Sequence, residues 1–490
     1  MTNIVLNEYE DCKMRSTKYD SIKGTLRGLA GLIEVLLLSV VYYYVWKFAY
    51  LDVAFVDYLG GGKFLLFGVY ALLVCVLFKN FDGFQYGYLR MSEVLVSQVI
   101  ALFMVNFITY LQLCLIANQL ISILPLLVLM AMDALVALVC IVVYTALYHR
   151  IYPPKNMVMI LGRDEALDLK FKMDTRLDKY KITKVISVDE GFESITQQIL
   201  NYDAVIINDV ASGIRNDLVK YCYHKQIRVY ATPKMSDIIM KGATDICLFD
   251  TPLMLIRSRG LNWTQRFFKR LMDIVICLVA MIVAAPVMLV VACLIKLEDG
   301  GPVFYKQDRV TIGGKVFSIL KFRSMIVNAE KDGKSQPAVD NDPRITKIGK
   351  FIRATRIDEL PQILNILKGD MSIVGPRPER VEHMEEFSRD IPEFDFRLKV
   401  KGGLTGYAQV YGKYNTSPYD KLRLDLMYIE NYSLLFDLKL ILMTVRIVFK
   451  KESTEGFNER YAMEQRKAEM LDHIHKEHEV ELEETVTGGR

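Results

Sequence analysis

The stretch LMDIVICLVAMIVAAPVMLVVACLIKL, Leu271–Leu297, decides how the chain is organised. It is long and apolar enough to cross a hydrocarbon core about 30 Å thick, yet Ala284-Ala285-Pro286 stands at its middle. A proline there removes a helix hydrogen bond and crowds the preceding turn, so the sequence predicts a kink. The flanks are basic at both ends: Arg259, Arg266, Lys269 and Arg270 before it, Lys296, Lys306 and Arg309 after. Basic flanks favour the cytoplasmic side of a membrane. A plain spanning helix would place one cluster outside. A helix broken at Pro286, dipping into one leaflet over about 266–297 and returning, keeps both inside. The re-entrant form is the expectation; a plain fifth span with a tolerated proline is its alternative.

Toward the N-terminus the same apolar signal recurs four times, over Leu26–Tyr50, Phe64–Phe78, Val94–Ala117 and Leu120–Tyr148. Each reaches or nearly reaches spanning length, the second being the shortest. Tyr42, Tyr43, Tyr44 and Trp46 gather at one end of the first, as at a headgroup belt. Lys13, Arg15, Lys18, Lys23 and Arg27 precede the first block, Lys79 and Arg90 sit between the second and third, and His149, Arg150 and Lys155 follow the fourth. The first external loop instead holds Asp52 and Asp57. Both ends of this bundle are therefore expected in the cytoplasm. Asp133 is the one ionisable residue read inside the spans, so anchoring and substrate handling both stay open.

Bulk composition agrees. The 490 residues are 52% hydrophobic yet 24% charged, so the apolar residues are segregated into blocks. A formal net charge of +4 gives no strongly basic domain and argues against nucleic-acid binding. The eight cysteines form no C-x-x-C pair and mostly lie in apolar runs, which reads as small buried hydrophobes in a reducing compartment. No signal peptide is read, because the first apolar run starts near Leu26, is too long and lacks a cleavage signature.

After Tyr152-Pro153-Pro154 the pattern changes. Met157–Leu161, Lys184–Val188, Ala204–Asn208 and Arg228–Ala231 read as buried parallel strands of a small doubly wound, Rossmann-like α/β module. Its first turn, Gly162-Arg163-Asp164-Glu165, keeps one glycine and sets two acids where a pyrophosphate would go. A structural or regulatory module fits that turn better than dinucleotide binding.

Beyond Gly300-Gly301-Pro302 the chain is soluble in character. It carries Lys321-Phe322-Arg323-Ser324-Met325 at the end of a strand-like run. Arg353-Ala354-Thr355-Arg356-Ile357-Asp358-Glu359-Leu360-Pro361-Gln362 follows, then Lys368-Gly369-Asp370-Met371-Ser372-Ile373-Val374-Gly375-Pro376-Arg377-Pro378-Glu379. No cysteine follows Cys293, and no histidine lies between His224 and His383. A carboxylate is then the natural nucleophile for phosphoryl transfer. Arg353, Arg356, Arg377, Lys321 and Arg323 supply cations for phosphates, and Mg²⁺ on a second carboxylate would neutralise more charge. On a regular helix Asp358 and Glu359 diverge by about 100°, so one can attack while the other binds metal. Gly375-Pro376-Arg377-Pro378 reads as a stiff loop presenting Arg377.

The proline-broken helix, K-F-R-S-M, D-E-L-P-Q, K-G-D-M-S-I-V-G-P-R-P-E and G-L-T-G-Y-A-Q-V at Gly403–Val410, in that order, resemble the bacterial sugar transferases. These are the monotopic polyprenyl-phosphate phosphoglycosyl transferases, and the resemblance runs from about Gln265 to Lys450. The whole layout resembles the large members that start exopolysaccharide or capsule assembly. It implies a ping-pong reaction in which Asp358 takes a phosphosugar from a UDP-sugar, releasing UMP, and passes it to undecaprenyl phosphate. It further implies Mg²⁺ on Glu359, phosphate binding by Arg353 and Arg377, and supporting positions at Lys321, Arg323, Arg356, Gln362, Pro378 and Glu379. Glucose and galactose are the implied sugars, a homodimer the implied assembly, and the bacterial inner membrane the implied location, with the catalytic domain facing the cytoplasm.

The expected architecture is thus a membrane protein of α plus α/β class. A four-helix transmembrane bundle occupies 1–152, the α/β module 153–258, a monotopic catalytic domain 259–460 and a charged tail 461–490. Lys401-Gly402-Gly403 stands where many relatives have proline before the glycine. Arg356 occupies a place that often holds a small residue. His473, His475 and His478 read as part of a solvated tail before they read as a zinc site. A nucleotide-sugar oxidoreductase or epimerase using the α/β module, and a non-enzymatic scaffold of polysaccharide assembly, are the competing functions.

Overall fold

The computed structural model describes residues 2–51, 62–163, 167–256, 260–327, 329, 342–412 and 416–448, with 2–22, 62–63 and 445–448 traced as helix only. Asp52, Asp57, Asp164-Glu165, Arg259, Lys450 and the tail histidines lie outside these residues. So do the side chains of Cys12, Lys13, Arg15 and Lys18. The chain divides into two compact units, Met1–Pro154 and Lys155–Arg490.

The first unit contains α1 (Thr2–Ala49), α2 (Gly62–Asn80), α3 (Met91–Ala117) and α4 (Leu124–Ile151). In α1 (over Lys23–Ala49), α3 and α4 the apolar run is long enough to cross a membrane. In α2 it covers only Phe64–Asn80, which falls short of that length. The interior is more polar than the sequence suggested, because Glu34 joins Asp133 as a buried acid. Tyr86 and Gln98 both donate to Glu34 Oε2. Tyr70 and Asn106 donate to Asp133 Oδ2, each at 3.0 Å. Glu34 escaped the sequence reading because one acid inside a 25-residue apolar block barely lowers its average hydropathy.

The second unit opens with β1 (Lys155–Leu161), β2 (Tyr180–Ser187), β3 (Ala204–Asn208) and β4 (Arg228–Ala231), a parallel sheet of order β2-β1-β3-β4. All five residues of β3 and the last five of β1 are buried. Such continuous apolar strands need cover on both faces. Cover comes from α5 (Asp168–Asp174), α6 (Phe192–Ile199) and α7 (Ser212–His224). After α8 (Met235–Lys241) comes a hairpin the sequence reading missed, β5 (Thr244–Leu248) and β6 (Thr251–Leu255), turning through Phe249 and Asp250 at positive φ.

The Leu271–Leu297 stretch lies in α9 (Trp263–Asp299), a fourth helix of membrane-crossing length and apolarity. The helix runs through Pro286 without interruption, so the proline does not end it. Both ends of α9 attach to the set of elements that follows it in the chain. These are β7 (Phe304–Val310), β8 (Val316–Phe322), α10 (Lys347–Ala354), α11 (Gln362–Lys368), β9 (Ser372–Val374), α12 (Val381–Asp390) and β10 (Gly403–Thr405). Three further helices, α13 (Tyr407–Tyr411), α14 (Pro418–Glu430) and α15 (Leu434–Val448), complete them. At the front end, buried Lys269 donates to Asp437 of α15 at 2.5 Å and to Tyr428 at 3.2 Å. Arg270 caps the C-terminus of α11 through the Ile366 and Leu367 carbonyls. Asp273 accepts from Ser372 Oγ at 2.8 Å and from the Ile373 amide at 3.1 Å. At the far end, Asp299 pairs with Arg323, and Glu298 accepts from the Lys347 amide at 2.9 Å.

Candidate active site

The segment that sets the acids begins at Thr346, whose hydroxyl accepts from the Gly349 amide at 2.9 Å and starts α10. The helix ends at Ala354, and the chain reverses through Arg356 at φ +58°. That left-handed conformation costs a non-glycine residue roughly 1–2 kcal/mol. Glycine would adopt it without that cost. The chain then winds through a single 3₁₀ turn, Ile357–Glu359, and Pro361 leads into α11. Asp358 and Glu359 thus sit on a tight turn and not on a regular helix.

The second wall is the loop after β9. Gly375 N donates to Thr405 O at 2.8 Å and Gly403 N to Pro376 O at 2.9 Å, locking the loop to β10. A Cβ at Gly375 would run into the Lys401 carbonyl, so glycine is required there. The loop delivers Arg377, and β8 delivers Lys321.

Between these walls the charges interlock. Lys321 Nζ and Arg377 Nη2 each donate to Glu359 Oε1 at 3.0 Å. Burial alone would push Glu359 up, but Arg377 and Lys321 overcome it and hold the carboxyl far below the usual range. Burial also pulls Lys321 down, against Glu359's attraction. Asp358 behaves oppositely. Burial and then the neighbouring Glu359 charge push its carboxyl up, partly offset by Lys321, Arg356 and Arg353. Its Oδ1 is buried with no hydrogen-bond partner among the described residues. Gln362 is buried one turn on, its Nε2 likewise unpartnered. Arg353 is half-buried and Arg356 exposed, and neither makes an ion pair among the described residues.

Four cations (Lys321, Arg353, Arg356 and Arg377) therefore face two carboxylates, a surplus of two positive charges around an unclaimed carboxylate oxygen. Such a site suits a dianionic group approached by a nucleophile. For a divalent metal, both hydrogen bonds to Glu359 end on Oε1, which leaves Oε2 available. Mg²⁺ is commonly held by one or two carboxylates together with substrate phosphates, so this donor set fits it. No cluster of three or more metal-ligating side chains occurs among the described residues.

Other residues singled out in the sequence serve the frame. Arg323 donates to both Asp299 oxygens and, at 2.7 Å, to the Pro302 carbonyl, fastening the end of α9 to β8. The Pro378 carbonyl accepts from Arg309 at 3.0 Å. Glu379 accepts from Arg397 at 3.2 Å and from Lys421. Burial would raise it, but Lys421 and Arg397 bring its carboxyl down to about 2. Arg309, Arg397, Lys421 and Asp425 escaped the sequence reading as site residues because each lies in a charged stretch that reads as solvated surface.

Comparison with known proteins gives a consistent picture. The sequence pattern described as "Bacterial sugar transferase" matches residues 264–451. A UDP-N-acetylgalactosamine-undecaprenyl-phosphate N-acetylgalactosaminephosphotransferase of Aeromonas hydrophila is 38% identical over 255 residues, covering 51% of this chain and 59% of the relative. A UDP-glucose:undecaprenyl-phosphate glucose-1-phosphate transferase of Caulobacter vibrioides is 43% identical over 183 residues, covering 36% of this chain and 68% of the relative. An uncharacterized sugar transferase of Haemophilus influenzae is 34% identical over 340 residues, covering 61% and 70% respectively. The chain spans only about half the length of several of the curated relatives it matches.

Proposed function

Because this chain belongs to the bacterial sugar transferase family, we propose that it transfers a sugar 1-phosphate from a UDP-sugar to undecaprenyl phosphate. The observation that carries this reading is the asymmetry of the acid pair. Glu359 is claimed by Lys321 and Arg377, whereas Asp358 keeps an oxygen without a hydrogen-bond partner among the described residues. An Asp358 oxygen attacks the β-phosphorus of the donor. The bond from that phosphorus to the bridging oxygen breaks, UMP leaves, and the phosphosugar is held on Asp358 as an acyl phosphate. An oxygen of undecaprenyl phosphate then attacks the same phosphorus, the Asp358–phosphorus bond breaks, and undecaprenyl-diphosphate-sugar departs with the carboxylate restored. Arg377, Arg353 and Arg356 hold the donor diphosphate in line, Lys321 keeps Glu359 ionised, and Gln362 offers a buried donor. Glu359 Oε2 would hold Mg²⁺, which when bound supplies further neutralisation of the diphosphate.

The acceptor lives in a bilayer, which gives α9 its role. A 37-residue helix is about 55 Å long. Its first turns grip α11, β9 and α15, while its last residues grip β8 and α10. A helix leaving the far face of a membrane would part from that domain. Attachment at both ends supports a re-entrant path bent at Pro286, with the catalytic elements on the cytoplasmic side of the inner membrane. The Rossmann-like module is then structural or regulatory, and a homodimer is the proposed assembly.

The test uses the full chain in detergent with undecaprenyl phosphate, Mg²⁺ and a panel of UDP-sugars, UDP-glucose and UDP-galactose first. Mg²⁺-dependent UMP release by wild type and none by Asp358→Asn is expected, with a covalent phosphosugar adduct on wild type by mass spectrometry. Equal turnover by Asp358→Asn would remove Asp358 as the nucleophile. No release from any donor would favour a scaffold.

A further inference from the structure

Arg377 has no fixed place without its loop, and the loop is fastened by groups outside the acid pair. Arg397 lies in the 3₁₀ segment Pro392–Lys399 with its side chain only 2% exposed. Its guanidinium serves three acceptors. Nε and Nη2 approach Asp425 Oδ2 at 3.0 and 2.8 Å, Nη1 reaches Glu379 Oε1 at 3.2 Å, and Nη2 donates to the Arg377 carbonyl at 2.9 Å. Lys421 closes the group on Glu379. Two cations and two carboxylates balance, so this network spends no charge on a ligand, in contrast to the surplus at the acid pair. Among the described residues a void of about 10 Å³ lies beside it, room for about one water.

We propose that Arg397 is a positioning residue for sugar-phosphate transfer, acting through the backbone of Arg377. Resting on the function proposed above, this assigns Arg397 no contact with the donor. A planar guanidinium spreads its donors over Nε, Nη1 and Nη2 to reach acceptors on three residues, whereas an ammonium presents its donors from a single nitrogen, so Arg397→Lys keeps the charge and loses the geometry. The carbonyl of Arg377 is then released while its side chain is intact.

The test is a double-mutant cycle on donor turnover with Arg397→Lys, Arg377→Ala and the pair, in the full-length protein in detergent. Arg397→Lys is expected to lower kcat tenfold or more in the wild-type background. In the Arg377→Ala background it should have less than a twofold further effect. Equal factors in both backgrounds would overturn the proposal, since a merely structural arginine costs the same with or without Arg377. Hydrogen exchange of the 375–380 peptide is read in parallel and needs no turnover. Arg397→Lys should speed exchange there at least tenfold while α10 and α11 stay as in wild type. Unchanged exchange in that peptide, or equal acceleration everywhere, would overturn the proposal too. If wild type released no UMP from any donor, the proposed function would fall, and the exchange result alone would decide whether Arg397 holds the loop.

Discussion

Glu379→Gln tests the network beneath the site with a magnitude the structure supplies. Glu379 is about nine-tenths buried, and Lys421 and Arg397 bring its carboxyl from an ordinary 4.5 to about 2. A folded-state value below the unfolded one stabilises the protein above about pH 4.5, and that gain is lost as pH falls through about 2. That lowering corresponds to about 3 kcal/mol at pH 7. Breaking one partner out of a buried ion pair, at ~3–5 kcal/mol, is of the same size. Glutamine keeps the shape and removes the charge, so the variant should melt roughly 5–10 °C below wild type at pH 7. At pH 3 wild type keeps less than half of this contribution, and the gap should shrink to about half. Burial pushes Asp425 in the opposite direction against Arg397, but Asp425 is common to both proteins and cancels to first order in their difference. Thermal unfolding in one detergent, followed by intrinsic fluorescence at pH 7 and pH 3, measures both gaps. No gap at pH 7, or an equal gap at both, would refute the account of Glu379 as a charge held by Lys421 and Arg397.

Three further outcomes are expected. Asp358 must be ionised to attack, and burial with Glu359's charge raises its carboxyl, so turnover should fall on the acid side at a higher pH than an ordinary aspartate would give. Removing that charge in Glu359→Gln should move the acid limb of the residual turnover to lower pH. A limb that stays put would separate Asp358 from Glu359. Asp273→Leu strips partners from Ser372 Oγ and the Ile373 amide, at roughly 1–3 kcal/mol each, whereas Asp273→Asn keeps an acceptor. The leucine variant should melt several degrees lower and the asparagine variant near wild type. In the bundle, Asp133→Asn keeps an acceptor for Tyr70 and Asn106, and Asp133→Leu removes it. Within a membrane each such bond averages about 0.6 kcal/mol, so the leucine variant should lose only a few degrees. Collapse of the asparagine variant would show that the acid is needed as an acid.

Much of this was legible in the sequence for physical reasons. Strands buried on both faces announce themselves as apolar runs, so Met157–Leu161 and Ala204–Asn208 fall inside or on observed strands. The strand of Lys184–Val188 is found as Tyr180–Ser187, shifted because the exposed Lys181 and Thr183 break the apolar run in its earlier half. The β5–β6 hairpin escaped because Phe249-Asp250 lacks glycine, yet both residues take positive φ. Asp358, Glu359 and Arg377 were visible as an ordered set, and the structure brings Glu359 together with Lys321 and Arg377.

What sequence alone could not do was separate arginines with the same chemistry. Arg323 and Arg377 both follow short strands beside motif residues, and both looked available to phosphates. Folding gives Arg323 the two oxygens of Asp299, a partner 24 positions away at the end of the membrane helix, and leaves it nothing to offer a ligand. Arg397 was invisible because its partners Asp425, Glu379 and the Arg377 carbonyl lie 18 to 28 positions off. The separating quantity is whether a cation's charge is already matched. At Arg323 the carboxylate of Asp299 matches it, and at Arg397 the buried carboxylate of Asp425 does. Around Asp358 four cations meet two acids, and the mismatch equals the charge of the diphosphate that a nucleotide sugar would bring.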